Sequence, residues 1–322
     1  MTEPLASPLL ERFPGLAALP RARFVRGPSP VEASSLAPAL WVKRDDLSTL
    51  PFGGNKVRAL EFLLGGVRPG DEVLTVGGVG STHALATAMY AAALGARTTV
   101  IRWPQVMHAR AAEVDARIRE AATVHDAAWV GAAYARAALL RAMNPIKWIP
   151  AGGTTPLGIL GHVESALELA GQVAAGLLPA PARVVLPLGS GGTAAGLVLG
   201  FALAGLDTEV VGVQVVPRVM ARRGRIRRLV GRTLRLIERV GGTPVGALSF
   251  PRFFLERAYY GGAYGREVPA GQAAALRFRE AHGGAMLDPT YSAKACAAAL
   301  ARCDERPTLF WVTFDSRLFE RR

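Results

Sequence analysis

Lys56 stands in the run Pro51-Phe52-Gly53-Gly54-Asn55-Lys56-Val57-Arg58, just after the charged segment Lys43-Arg44-Asp45-Asp46. Two glycines and an asparagine let the backbone bend there and come close to a ligand. A lysine so placed is either an exposed group or an amine held in a cleft, where desolvation lowers its pKa and frees a nucleophile for a carbonyl compound. Three further glycine turns each follow a strand-like run. In Gly77-Gly78-Val79-Gly80-Ser81-Thr82-His83, Ser81 is a sound helix N-cap, and its hydroxyl with the nearby amides can hold a carboxylate; the plainer reading is a capped helix with His83 at the surface. Pro150-Ala151-Gly152-Gly153-Thr154-Thr155-Pro156-Leu157-Gly158 either shapes a cofactor wall or caps the helix that follows.

The fourth turn, Leu188-Gly189-Ser190-Gly191-Gly192-Thr193-Ala194-Ala195-Gly196, leads from a strand into a helix. Its backbone N–H groups, with the hydroxyls of Ser190 and Thr193, suit an anion, and phosphate is the natural occupant. A tight structural turn is the other reading. The loop lacks the Gly-Lys-Ser/Thr ending of a P-loop, and Asp207 and Glu209 come too soon to be the acid that follows a dinucleotide GxGxxG by about 20 residues. A phosphate anchor together with a nucleophilic lysine on a glycine hinge is the pair that pyridoxal phosphate requires.

The elements that must position these groups alternate. Strands are predicted at Trp41 to Lys43, Glu72 to Val76, Arg97 to Ile101, Lys147 to Ile149, Arg183 to Pro187, Glu209 to Val215 and Thr308 to Thr313. Helices are predicted at Lys56 to Leu64, Thr82 to Leu94, Ala109 to Ala122, Ala132 to Met143, Leu157 to Ala175, Thr193 to Ala204, Ala270 to His282 and Ala293 to Arg302. Strands separated by helices of about ten residues or more imply right-handed βαβ units and parallel sheets. Two successive α/β series imply two lobes with a ligand in the cleft between them.

Composition narrows the class. The chain has 322 residues, half of them apolar, enough for a substantial core. Met1 to Pro20 lacks the basic start and apolar block of a secretory leader, and no apolar run reaches the roughly 20 residues of a membrane span, so a cytoplasmic protein is expected. Cys296 and Cys303 lie about two helical turns apart, too far to bridge, and no ligand spacing marks a zinc site. Much of the net charge of +13 lies between Arg218 and Arg239. There, arginines alternate with Ile226, Leu229, Val230 and Ile237 as on an amphipathic helix, which favours a solvated basic face over nucleic-acid binding.

Collinear motifs then point to a family. They are Gly27-Pro28-Ser29-Pro30, Trp41-Val42-Lys43-Arg44-Asp45-Asp46-Leu47, Gly53-Gly54-Asn55-Lys56-Val57-Arg58, Gly77-Gly78 with Ser81, Pro150-Ala151-Gly152-Gly153 with Gly158, Gly189 to Thr193, Gly262-Ala263-Tyr264-Gly265 and Leu287-Asp288-Pro289-Thr290-Tyr291-Ser292-Ala293-Lys294-Ala295. They cover nearly the whole chain, which resembles the 1-aminocyclopropane-1-carboxylate deaminase and D-cysteine desulfhydrase family within the fold of the tryptophan synthase β subunit. The resemblance implies two three-layer α/β/α lobes with mainly parallel sheets and pyridoxal phosphate in the cleft between them. Residues 1–56 with 157–322 would form a large cofactor-binding domain and 57–156 a small one, in a homodimer acting on a small amino acid.

By the same resemblance Lys56 is the covalent anchor and the base at Cα, Asn55 touches the cofactor, and Gly189, Ser190, Gly191, Gly192 and Thr193 hold its phosphate. Ser81 with the amides of Thr82 and His83 grips the substrate carboxylate, and Tyr264 and Tyr291 reach the reacting carbon or the leaving group. Ser292, where true deaminases carry glutamate beside the pyridine nitrogen, and Thr313, where they carry leucine, favour the D-cysteine side: elimination to keto acid, ammonia and sulfide. Opening of the cyclopropane amino acid is the alternative. Three positions depart from the family pattern: Thr82 for asparagine, Ala59 for lysine, and Phe314-Asp315 for two glycines, the last placing a bulky ring and a charge where the family has open backbone beside the edge of the cofactor ring. They motivate a further alternative, a binding protein that keeps the fold without turnover.

Overall fold

The computed structural model describes residues 7–107 and 109–319; the first six residues of the stretch read as lacking a leader lie outside that range. The larger of two sheets has the order β1 (Val31–Ala33), β2 (Leu40–Arg44), β10 (Thr308–Val312), β7 (Arg183–Leu188), β8 (Glu209–Gln214) and β9 (Phe253–Glu256). The β1–β2 pairing is antiparallel and the other pairings are parallel. The smaller sheet, β5 (Thr123–Asp126), β4 (Arg97–Trp103), β3 (Glu72–Gly78) and β6 (Lys147–Ile149), is parallel throughout.

Helices cover both faces of each sheet, as the apolar strands demand: Val184 to Leu186 and Leu309 to Trp311 are fully buried, which a parallel strand achieves only between two helical layers. On the large sheet, α1 (Pro8–Arg12), α6 (Pro156–Ala174), α7 (Gly192–Ala204) and α8 (Arg223–Val240) share one core, and α9 (Pro269–Ala281) and α10 (Ser292–Arg302) build the other. On the small sheet, α2 (Asn55–Leu63), α3 (Thr82–Ala93) and α4 (Ala109–Ala121) lie on one side and α5 (Val130–Met143) on the other. The two three-layer lobes of the sequence reading are the fold that forms. Glycines set how closely α6 and α7 meet: a Cβ on Gly196 would stand 2.2 Å from His162 Cβ, and one on Gly200 2.4 Å from Ala166 Cβ.

Most predicted elements end within about two residues of the observed ones. The differences are at the edges. β1, β5, β9 and α1 lie outside the predicted set; β5 is only partly buried and exists because it pairs with β4, a long-range contact with no local signal. The basic helix starts at Arg223 rather than near Arg218, because the chain first turns at Pro217, whose carbonyl accepts from Met220 and Ala221. Its outer arginines are exposed and Ile226, Leu229, Val230 and Ile237 face inward, so the solvated basic face is present. Cys296 and Cys303 are both free. Among the described residues, no helix is long and apolar enough to cross a membrane.

Candidate active site

α2 starts where the sequence bends most sharply. Gly54 has φ +98°, and a Cβ there would stand 2.6 Å from the Thr313 carbonyl; one on Gly53 would stand 2.1 Å from the Asp46 carbonyl. Only glycines allow this approach, and it pins the start of α2 to the end of β10, where the Asn55 amide donates to the Thr313 carbonyl at 3.1 Å. Asp315 completes the clamp. Fully buried, it accepts from Gly53 N at 2.8 Å and pairs with Arg317 at 2.7 Å. The charge that the sequence suggested beside the ring edge is thus spent on holding the glycine hinge. Phe314 does reach the site and lines it, packed edge-on against Phe52 at 5.8 Å.

Lys56 follows in the first turn of α2, partly buried at the floor of a cleft also lined by Asn55, Thr82, Gly189 to Ala194, Tyr291, Thr313 and Phe314. Its amine makes no hydrogen bond among the described residues. Burial pulls its pKa down to about 8, against the opposing pull of Asp288, so a usable fraction of the amine is neutral near physiological pH.

The glycine loop forms the opposite wall. Two hydroxyls in it are poised to donate: Thr193 Oγ1 accepts from Asn55 Nδ2 at 2.8 Å and Ser190 Oγ accepts from Thr154 Oγ1 at 2.6 Å, leaving both with a proton to give. The first amides of α7 have no intrahelical acceptor and point out of the helix end. Donors without acceptors, at a helix N-terminus beside an amine that is partly neutral near physiological pH, fit a phosphorylated carbonyl compound. Ser292, in the first turn of α10, is fully buried with no partner for its Oγ among the described residues, an orphaned hydroxyl adjacent to a residue of the cleft wall. A polar edge of a bound ring would satisfy it.

A second, outer chamber shares Thr82, Tyr291 and Phe314 with the cleft and adds Gln105, Arg110, Tyr264 and Asp288. Tyr264 and Tyr291 touch through their hydroxyls in a short hydrogen bond, rings 6.1 Å apart. Burial raises the pKa of both, and for Tyr291 the neighbouring Tyr264 adds to it. Asp288 caps α10 by accepting from Tyr291 N at 2.6 Å and Ser292 N at 3.0 Å, which fixes both residues. Ser81 caps α3, accepting from Ala84 N at 3.3 Å, between Gly80 and Thr82 of the outer chamber.

His83 corrects the sequence reading. It is not at the surface but buried under the small sheet, its ring beside Thr75 Oγ1 at 3.4 Å and hydrogen bonded to the Pro150 carbonyl; burial holds its pKa down near 3. Thr75 of β3 and the Pro150 carbonyl receive the ring on the inner side of α3. His162 escapes sequence reasoning, since a lone histidine in an apolar helix carries no pattern. It lies on α6 against Gly192 of the loop, its Nδ1 unpartnered and its pKa lowered by burial to about 3.

The fold and this site define an α/β enzyme that holds a phosphorylated carbonyl cofactor in a cleft. Residues 23–309 match the family model of the pyridoxal-phosphate dependent enzymes, and the chain belongs to that family. Its cofactor is pyridoxal phosphate. Among named relatives it is 34% identical over 300 residues to a putative 1-aminocyclopropane-1-carboxylate deaminase of Pyrococcus abyssi, covering 91% of this chain and 87% of that one. It is 36% identical to the nocardicin C-9′ epimerase of Nocardia uniformis subsp. tsuyamanensis (94% of each chain) and 30% to a D-cysteine desulfhydrase of Salmonella choleraesuis (88% and 89%). A crystal structure of an ACC deaminase homologue superposes with a TM-score of 0.76 at 26% identity, covering 96% of this chain and 95% of that one. Within the family, the chain falls in the deaminase and desulfhydrase group.

Proposed function

We propose that the protein removes the β-substituent from a small amino acid of the D-cysteine type, giving a keto acid, ammonia and, from cysteine, sulfide. The observation that carries this reading is the Tyr264–Tyr291 hydroxyl pair at the seam between the cleft of Lys56 and the outer chamber. A leaving group needs a protonated partner there, and burial keeps both phenols protonated at neutral pH.

Lys56 anchors the cofactor, Asn55 and Thr313 border it, Gly189 to Thr193 hold its phosphate and Ser292 meets its ring nitrogen. When bound, pyridoxal phosphate supplies a carbonyl that condenses with an amino group and a ring that withdraws electrons from the adjacent carbon. Ser81 with the amides of Thr82 and His83 holds the substrate carboxylate. The Lys56 amine, neutral once displaced, takes the Cα proton, and the sulfur leaves with its electron pair toward the tyrosines. Water hydrolyses the released enamine, so that cysteine and water give pyruvate, ammonia and hydrogen sulfide. A neutral Ser292 would leave the ring nitrogen less protonated than a carboxylate partner would, a weaker electron sink that still suffices for a thiolate leaving group. The reading includes the domain division 1–56 with 157–322 against 57–156, a homodimer and a cytoplasmic location.

A second reading, inversion at Cα, is favoured by the similarity to the epimerase: it needs the same proton removal and a group with a proton to return, which the tyrosine pair has. One panel separates them. D-cysteine, L-cysteine, D-serine, β-chloro-D-alanine and the cyclopropane amino acid are incubated in deuterium oxide, and keto acid, sulfide and Cα deuterium are measured. Pyruvate with sulfide from D-cysteine is expected. Keto acid from the cyclopropane amino acid alone would move the protein to the deaminases, inversion with deuterium and no keto acid would make it an epimerase, and no reaction by a cofactor-loaded protein would leave a binding role.

A further inference from the structure

The residue pattern of the basic helix is that of a solvated face, and along the run from Arg218 to Arg239 the arginines are exposed with one exception. Arg225, in the first turn of α8, turns inward, and its Nε donates to the carbonyl of Ser190 at 3.0 Å, behind the glycine loop. It forms no ion pair with a carboxylate among the described residues. The same turn of α8 seats the loop: a Cβ on Gly191, at φ +93°, would stand 2.8 Å from Ile226 Cδ1.

We propose that Arg225 is a positioning residue for the cofactor phosphate, acting through the Ser190–Gly191 peptide. A trans peptide is planar, with its C=O and N–H on opposite sides. Because the Ser190 carbonyl faces Arg225, the Gly191 N–H points away from α8, and Gly191 lines the cleft. A guanidinium on the carbonyl polarises the peptide, making that N–H a stronger donor to an anion, and it places an unneutralised positive charge behind the loop. The charge matters because Ala59 carries none on the α2 side. The arginine-rich helix thereby has two faces with different roles, since the exposed arginines are solvated while the inward one braces the loop.

This inference rests on the reading of Gly189 to Thr193 as the phosphate cradle, and the test keeps the two apart. Binding of pyridoxal phosphate and of unphosphorylated pyridoxal is titrated by absorbance for the wild type and for Arg225→Ala, Arg225→Lys and Arg228→Ala. Arg225→Ala should weaken pyridoxal phosphate about tenfold and leave pyridoxal unchanged, Arg225→Lys should recover part of the loss, and Arg228→Ala, which removes an exposed charge, should change neither. If the wild type binds both compounds equally, the cradle reading fails and the inference with it. If the wild type prefers the phosphate but Arg225→Ala keeps that preference, or Arg228→Ala loses as much, the inference alone is overturned. Circular dichroism verifies the fold, and should Arg225→Ala not fold, Arg225→Lys against Arg228→Ala still decides.

Discussion

Two buried polar regions flank helix α2, and they are built in opposite ways. On one side Lys43, Arg58, Asp45 and Glu168 form an ionic cluster: Lys43 Nζ lies 2.5 Å from Glu168 Oε1, Arg58 pairs with Glu168 at 2.8 Å and with Asp45 at 2.6 Å, and Gln172 and Ser29 take up the remaining Lys43 protons. One carboxylate oxygen, Asp45 Oδ2, is without a partner. On the other side, two residues from Arg58 along the same helix, Lys56 has no hydrogen bond among the described residues, and His162 Nδ1 and Ser292 Oγ are buried without partners among them. Charges are paired on one side of α2, whereas on the other the unpaired amine of Lys56 lines the cleft. Folding alone favours satisfying such groups, and Thr98, Gln214 and Trp311 also bury an unpartnered atom away from the cleft, so it is the Lys56 amine lining the cleft that marks the place where another molecule completes the structure.

The comparison breaks most sharply at Lys56. Lys56→Ala should lower turnover by about 10³-fold or more and abolish the cofactor absorbance that borohydride fixes, while stability without cofactor holds or rises at neutral pH, since the substitution removes the desolvation penalty of the amine. The pH dependence follows from the amine's lowered pKa. The neutral fraction rises with pH and is half at about 8, so the rate of cofactor capture should climb through that pH and level off above it. The stability sign is the reverse of a stabilised cation. The folded state binds fewer protons than the unfolded one between pH 8 and about 10.5, so this lysine's penalty is fully present below that window and fades as pH rises through it. Capture with a midpoint near 10 would mean the amine is not desolvated.

The cluster side should respond the other way. Glu168→Ala strands Lys43, which is fully buried, and Arg58 with only Asp45 for a counter-charge, and should cost about 3–5 kcal/mol of stability in urea unfolding. Any fall in activity should track the unfolded fraction. A variant of full stability and lost turnover would place Glu168 with the site and dissolve the distinction between the two sides of α2.

The sequence already carried the glycine hinge, the phosphate loop and the alternation of strands and helices, because each is a local pattern: Gly53-Gly54 before Asn55, a strand before Gly189, apolar residues at helical spacing on α6. What it hid depends on chain returning from far away. β5 has no apolar run and exists through β4; His83 turns inward because β3 and Pro150 receive it; Asp315, suspected of intruding on the ring edge, instead holds Gly53 from across 262 residues. Arg225 is indistinguishable in sequence from its exposed neighbours, and only the packing of Ile226 under Gly191 decides which arginine faces the loop.

Ser292 offers the smallest effect and the finest test. Its hydroxyl is buried and unpartnered in the protein alone, so Ser292→Ala removes a desolvated group whose loss forfeits no bond; stability without cofactor should hold or rise by up to about 1 kcal/mol. With pyridoxal phosphate bound the sign should invert, since the same hydroxyl then has a ring nitrogen to meet, and the variant should bind the cofactor a few-fold more weakly. Melting curves with and without cofactor measure both halves at once. A variant that is destabilised equally in both states would show that the hydroxyl has a partner in the folded chain, which would remove Ser292 from the unpaired side of α2. A variant indifferent in both states would leave the ring nitrogen facing something else on the cleft wall.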